Sequence, residues 1–270
     1  MAVGFLLKEI VGLLGVLAAD DAHRVAIAGE DGLLETLLSI SLRCLQFAKL
    51  LKTTLGLLIN LSVSAEGLAL LAEKPDFYAL LYLSLKHYPR SQPLMDYVLK
   101  LALNLSNSET ARRNLGAGSF FTSACQLLSI HRSSLPFLAE LCHLLHELIA
   151  LPQLARRLVE EAAKAFNPGL AGFTAYLADL LTSASAANHL ELFVATTLLT
   201  AGLCNASQPF ETALLATPGL FPLFEKALAD HRNDRPALQL LSEAIATLPV
   251  EGFEASPLGE EKAGGGGDAV

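Results

Sequence analysis

The sequence predicts an all-α protein, a solenoid of about six stacked helical repeats. Three observations carry this. First, apolar helical segments close on a common slot, occupied by Val16, Asn60, Asn104, Glu147, Asn205 and Thr247 in steps of 44, 44, 43, 58 and 42 residues. A near-constant period of this size belongs to stacked helix repeats, and the long step is one period plus an insertion. Second, Pro93, Pro136 and Pro236 each stand eleven residues before their marker. Proline is tolerated in a helix near its first turn, so the helix starts are periodic as well. Third, Leu and Ala dominate, Trp is absent and β-branched residues are sparse, which favours helix over strand.

The elements follow in order. Residues 3–19 give the last helix of a first, incomplete repeat, with Phe5, Leu6, Ile10, Leu13, Leu14 and Leu17 at helical spacing. Asp20 and Asp21 close it and start a short helix carrying Arg24. Gly29 to Gly32 turn the chain into a helix over 33–47, broken near Arg43, and 48–61 is the next long helix, ending at Asn60. A short helix over 66–73 precedes a turn at Pro75 and Asp76 and a helix through His87. The run Tyr88-Pro89-Arg90-Ser91-Gln92-Pro93 is a break. Helices are then predicted over 93–106, 108–115, 118–131 and 135–150. A longer one over 152–166 ends at Asn167-Pro168-Gly169, and the inserted residues fall in 169–185 and 188–206. Helices over 209–216, 218–231 and 236–248 close the array. The repeat domain therefore spans 1–249. The acidic, Gly-rich stretch 250–270 has no periodicity and is expected to be a disordered tail.

Composition narrows the function. Net charge is −8, and residues 251–270 supply half of it with five acids and one lysine. A mildly acidic body argues against a general nucleic-acid binder, whose footprint is basic. Cys44, Cys125, Cys142 and Cys204 form no C-x-x-C pair and are expected to be buried free thiols, as in a reducing compartment. The three N-x-S sequons begin at Asn60, Asn104 and Asn205, inside predicted helices, and read as by-products of the repeat. No signal peptide or membrane span is expected: Lys8 and Glu9 interrupt the apolar start, and no later stretch is long enough. The expected location is cytoplasmic, nuclear or both.

No catalytic constellation stands out. His143-Leu-Leu-His146-Glu147 is the most metal-like cluster, with Cys142 beside it; two imidazoles at i and i+3 share a helix face. Its order matches neither H-E-x-x-H nor H-x-x-E-H. A metal protein or enzyme centred on His143 and His146 is the alternative reading; the main one expects no metal and no cofactor. Gly116-Ala117-Gly118-Ser119 opens a helix as an anion loop does, but it lacks the Lys of a P-loop and sits where the repeat needs a turn. Arg24 and Arg112 stand eight residues after a marker and Arg156 nine, the expected place of structural arginines.

The A/L-L-x-N-L-S marker, the arginine eight residues on and VAIAGEDGLLETLL at 25–38 resemble the armadillo-repeat superfamily over residues 3–248. The resemblance implies three helices per repeat in a right-handed superhelix, whose third helices line a concave peptide-binding groove. Asn60, Asn104 and Asn205 would face that groove. The nuclear-import receptors of the superfamily carry Trp four residues before the Asn; Gly56, Lys100 and Ala201 stand there, so import-signal binding is not implied. Residues 49–81 are also similar to the armadillo domain of the heat shock factor 2-binding protein family, through Asn60, Ser62, Gly67-Leu68, Glu73, Pro75, Phe77 and Leu80-Leu81. That likeness implies an adaptor in meiotic recombination.

The expected function is a non-enzymatic protein-binding scaffold that takes an extended peptide or helix in the groove. Counting back from each marker in helical steps gives the residues on its face. They are Lys49, Lys52, Tyr97 and Lys100 in the second and third repeats, and Glu140, His143, Glu147, Glu191 and Glu243 later. The groove is thus expected to be basic toward its N-terminal half and acidic toward its C-terminal half. Phe5, Leu6 and Ile10 are expected to leave an apolar N-terminal face open to self-association.

Overall fold

The computed structural model describes residues 2–248, and the tail expected at 250–270 lies outside them. Among the described residues the fold is all-α, with sixteen helices. They begin with α1 (Ala2–Leu17), α2 (Asp21–Gly29), α3 (Leu33–Arg43), α4 (Ala48–Leu61), α5 (Ala65–Ala72) and α6 (Pro75–His87). Next come α7 (Gln92–Ser106), α8 (Glu109–Ala117), α9 (Ser119–Ile130), α10 (Leu135–Ile149), α11 (Pro152–Ala165) and α12 (Leu170–Ala186). The last four are α13 (Leu190–Ala206), α14 (Gln208–Leu215), α15 (Leu220–Asp230) and α16 (Arg235–Ala246).

The periodic sequence signals are helix starts and stops. Asp20, Ser64 and Ser108, four residues past their markers, are N-caps of α2, α5 and α8, their side chains accepting first-turn N–H groups. Pro93, Pro136 and Pro236 are each the second residue of α7, α10 and α16, where no N–H is required. Arg24 donates to the carbonyls of Ala18 (3.1 Å) and Ala19 (3.2 Å), and Arg112 donates to that of Ser106 (3.0 Å). Both place a cation on the orphan carbonyls that end a long helix. Arg156 does not repeat this role: it is exposed, and Arg157 instead reaches back to the carbonyls of Gly116 and Gly118. One helical position of drift turns the first side chain outward and the second toward the preceding helix pair.

The markers fall at the ends of α1, α4, α7, α10, α13 and α16, and these six helices pack in succession, each on the one before. The helices between them follow suit: α2 packs on α5, α3 on α6, α6 on α9 and α12 on α15. Hydrogen bonds cross one period at a time. Tyr88 donates to the Leu45 carbonyl (2.7 Å), Gln92 to Ser134 (2.8 Å) and Thr217 to Thr174 (3.1 Å). The core is a continuous layer of Leu with Phe77, Phe121, Phe137, Phe173, Phe210 and Phe224 fully buried.

The long step has its own packing. It lengthens α11, α12 and α13, and an aromatic group fills the added space. Phe166 lies 5.1 Å from Phe173 and 4.9 Å from Tyr176, ring centre to centre, and Phe173 lies 5.9 Å from Phe210. Gly202 lets α13 close on α10: a Cβ there would come within 2.7 Å of Ile149 Cδ1.

Cys125, Cys142 and Cys204 are buried and Cys44 partly so, all as free thiols. Burial pushes the thiols of Cys125, Cys142 and Cys204 up to about 12, which removes them as nucleophiles at neutral pH. Among the described residues no helix is long and apolar enough to cross a membrane. Phe5, Leu6, Ile10 and Leu13 are exposed along α1, at 67%, 60%, 48% and 62%, well outside the core layer.

Candidate partner-binding face

The side chains that share a face with the markers on α1, α4 and α7 line a cleft of about 720 Å³. Lys52, Gly56 and Asn60 come from α4, and Tyr97 and Lys100 from α7. Gly12, Gly15 and Val16 of α1 form the opposite wall. The Lys52 ammonium lies 5.0 Å from the centre of the Tyr97 ring, so cation and ring face form one surface. Gly56 makes this possible. A Cβ there would come within 3.2 Å of Tyr97 Cε1, so a larger residue would require the ring to give way by a few tenths of an ångström.

Four of the sequence-predicted residues, Asn60, Lys52, Tyr97 and Lys100, are thereby brought together. Lys49 is not among the cleft residues; it is exposed in the first turn of α4. The asparagines have partners of their own. Asn60 Nδ2 donates to the Gly15 carbonyl (2.9 Å) and Asn104 Nδ2 to Ser62 Oγ (2.8 Å), each tying its helix to the one before. Both are partly buried, whereas Asn205 is exposed at the end of the lengthened α13. Sequence reasoning missed Asp96, which stands eight residues before Asn104 as Lys52 stands before Asn60. The same count would have found it. Burial pushes the Asp96 carboxyl above the ordinary range, against the pull of Lys100, His131 and Lys52.

Further along, α10, α13 and α16 enclose a second hollow of about 230 Å³, walled by Leu190, Val194, Leu198 and Leu240, with His143, His146 and Glu191 at its edge. His143 is exposed, its Nε2 3.7 Å from Glu147 Oε1; Glu147 Oε2 stands 4.0 Å from Arg112. Burial depresses the His146 imidazole below its usual value, so it is neutral at physiological pH. Its Nδ1 and Glu140 Oε2 are both buried without a hydrogen-bond partner among the described residues. Among the described residues no three His, Cys, Asp or Glu side chains stand together as a metal site. Cys142 is fully buried and accepts from Thr196 Oγ1 (3.8 Å), away from the two histidines. In the Gly116–Ser119 turn, Arg157 occupies two of the carbonyls.

Burial raises the Glu140 carboxyl, with Lys100 opposing and Asp96 and Glu191 reinforcing the shift. The folded chain therefore holds this proton more tightly than the unfolded one. Stability falls as pH rises from the ordinary carboxylate range through the raised value. Half-exposure lets solvent screen the effect, so it is small. Glu140→Gln is expected to raise Tm at pH 7 by a few degrees at most, with the gain vanishing as pH falls through the ordinary carboxylate range. Thermal melts followed by circular dichroism check this; a lower Tm at pH 7 would show the carboxylate to be stabilising.

No protein-family model matches the chain, and no curated protein is significantly similar to it.

Proposed function

We propose that the chain is a non-enzymatic protein-binding scaffold, a right-handed armadillo- or HEAT-like solenoid of about six repeats, the first incomplete. The packing of every third helix on its counterpart supports the repeat reading. The partner is an extended peptide or helix laid across the face of α1, α4, α7, α10, α13 and α16. The adaptor role implied by the likeness to the heat shock factor 2-binding protein family is compatible with such a scaffold.

One observation carries the proposal: the cleft that gathers Lys52, Tyr97, Lys100 and Asn60 on one face. Two ammonium groups beside a partly buried ring suit an acidic segment with an aromatic or apolar residue. Asn60 Oδ1 accepts no hydrogen bond among the described residues, which leaves it able to accept a backbone N–H of such a segment.

The test is binding of an Asp/Glu-rich peptide array, with and without aromatic residues, at two salt concentrations. Lys52→Glu/Lys100→Glu is expected to weaken the tightest acidic binders by roughly tenfold or more. Lys49→Glu, outside the cleft, should change affinity much less, and binding to the wild type should weaken with salt. Unchanged affinity in a folded double variant would overturn this assignment of the cleft.

A further inference from the structure

We propose that the hollow between α10, α13 and α16 is a second, chemically opposite subsite. It takes a bulky apolar side chain from a partner peptide that carries arginine next to that residue. The inference rests on the scaffold reading but not on the Lys52–Lys100 cleft.

Val194, Leu198 and Leu190 of α13 face Leu240 of α16 across the hollow. Leu240 is 49% exposed, a large aliphatic side chain at the rim of an apolar depression. Such a rim gains most by closing over another apolar group, because burial then removes both surfaces from water. Ala195 also lines the hollow, and Leu199 and Leu203 of the same helix belong to the core.

The charge around the hollow selects the neighbour of that apolar residue. Glu191 lines it, Glu243 follows Leu240 by one turn of α16, and Glu140 and Glu147 lie on the same face of α10. The cations acting on this group are Lys100, which pulls on Glu140, and Arg112, 4.0 Å from Glu147. His143, 3.7 Å from Glu147, adds a charge only when protonated, and His146 is kept neutral by burial. Acid is therefore in excess. Glu191 is the carboxylate that lines the hollow itself, and it is exposed. A planar guanidinium, with several donors in fixed geometry and a weaker hydration shell than an ammonium, suits a carboxylate beside an apolar wall better than lysine.

Other occupants fit less well. A metal ion lacks a third donor among the described residues. The chain's own 251–270 stretch has Phe253 and Leu258, but five acids against one lysine set its charge against that of the rim.

The experiment uses the full chain and fluorescent peptides bearing one Phe or Leu flanked by Arg. Matched controls replace Arg by Glu or the apolar residue by Ser. Wild type is expected to bind the apolar–Arg peptides and neither control. Leu240→Lys and Glu191→Lys, both at exposed positions, are each expected to cut affinity at least tenfold while leaving the circular dichroism spectrum unchanged. Lys52→Glu/Lys100→Glu should leave these peptides bound, and Leu240→Lys should leave the acidic peptides bound. Equal binding of the Arg and Glu peptides, no binding of either, or full affinity in both folded single variants would overturn the subsite. Loss of acidic-peptide binding alone, with the apolar–Arg peptides still held, would count only against the cleft.

Discussion

Phe121→Ala is expected to lower the stability of the helix array by about 3–5 kcal/mol, the usual cost of emptying a buried aromatic site. The ring is fully buried on α9, which packs between α6, α8 and α11. The Arg157 guanidinium stands 5.7 Å from the ring centre while its nitrogens hold the Gly116 and Gly118 carbonyls and reach Thr122 Oγ1. Truncation thus removes packing and unseats the arginine that ties one helix pair to the next. Phe121→Leu, which keeps most of the volume, should cost much less. The chain has no Trp, so urea unfolding is followed by far-ultraviolet circular dichroism. A loss below about 1 kcal/mol for the alanine variant would mean that the neighbouring helices collapse into the space.

Gly172→Ala is expected to cost about 3 kcal/mol, the upper part of the range for forced overpacking. The added Cβ would meet backbone, not a movable side chain: it would lie 2.6 Å from both the carbonyl carbon and the oxygen of Asn167. Either the first turn of α12 or the Asn167–Gly169 stop must shift. Since α12 packs on α13, α14 and α15, the shift would be felt by those neighbours. Gly29→Ala is the control, because nothing lies within 4 Å of a Cβ there. Alanine at that helical position should be neutral or slightly stabilising. Equal melting temperatures for Gly172→Ala and wild type would refute the clash.

The helix order was legible because its signals are local. An N-cap serine, a proline in a first turn and an arginine beyond a helix end act within a few residues, so their recurrence exposes the period directly. The break predicted near Arg43 and the stop at Asn167-Pro168-Gly169 fall at the ends of α3 and α11 for that reason. The site was less legible. Counting back from the markers found Lys52, Tyr97 and Lys100, but placed Lys49 beside them although it sits in the first turn of α4, off the cleft. The resemblance has the asparagines facing a groove; the amides of Asn60 and Asn104 are spent on Gly15 and Ser62, partners about one period away. The apolar hollow left no local signal at all. It depends on how far the inserted stretch extends α13 and how closely Gly202 lets it approach α10, and neither distance is written in a single segment.

The asparagine bonds from one long helix to the one before also set a ruler. Neighbouring helix axes in packed proteins lie about 8–10 Å apart, and an extended chain advances about 3.3–3.6 Å per residue. A strand crossing from α1 to α16 would therefore meet a fresh helix every two to three residues. The residues a partner must keep would recur at that interval, and inserting one residue between them would spoil every contact downstream of it. A partner bound across this face as proposed would be recognised by spacing as much as by composition.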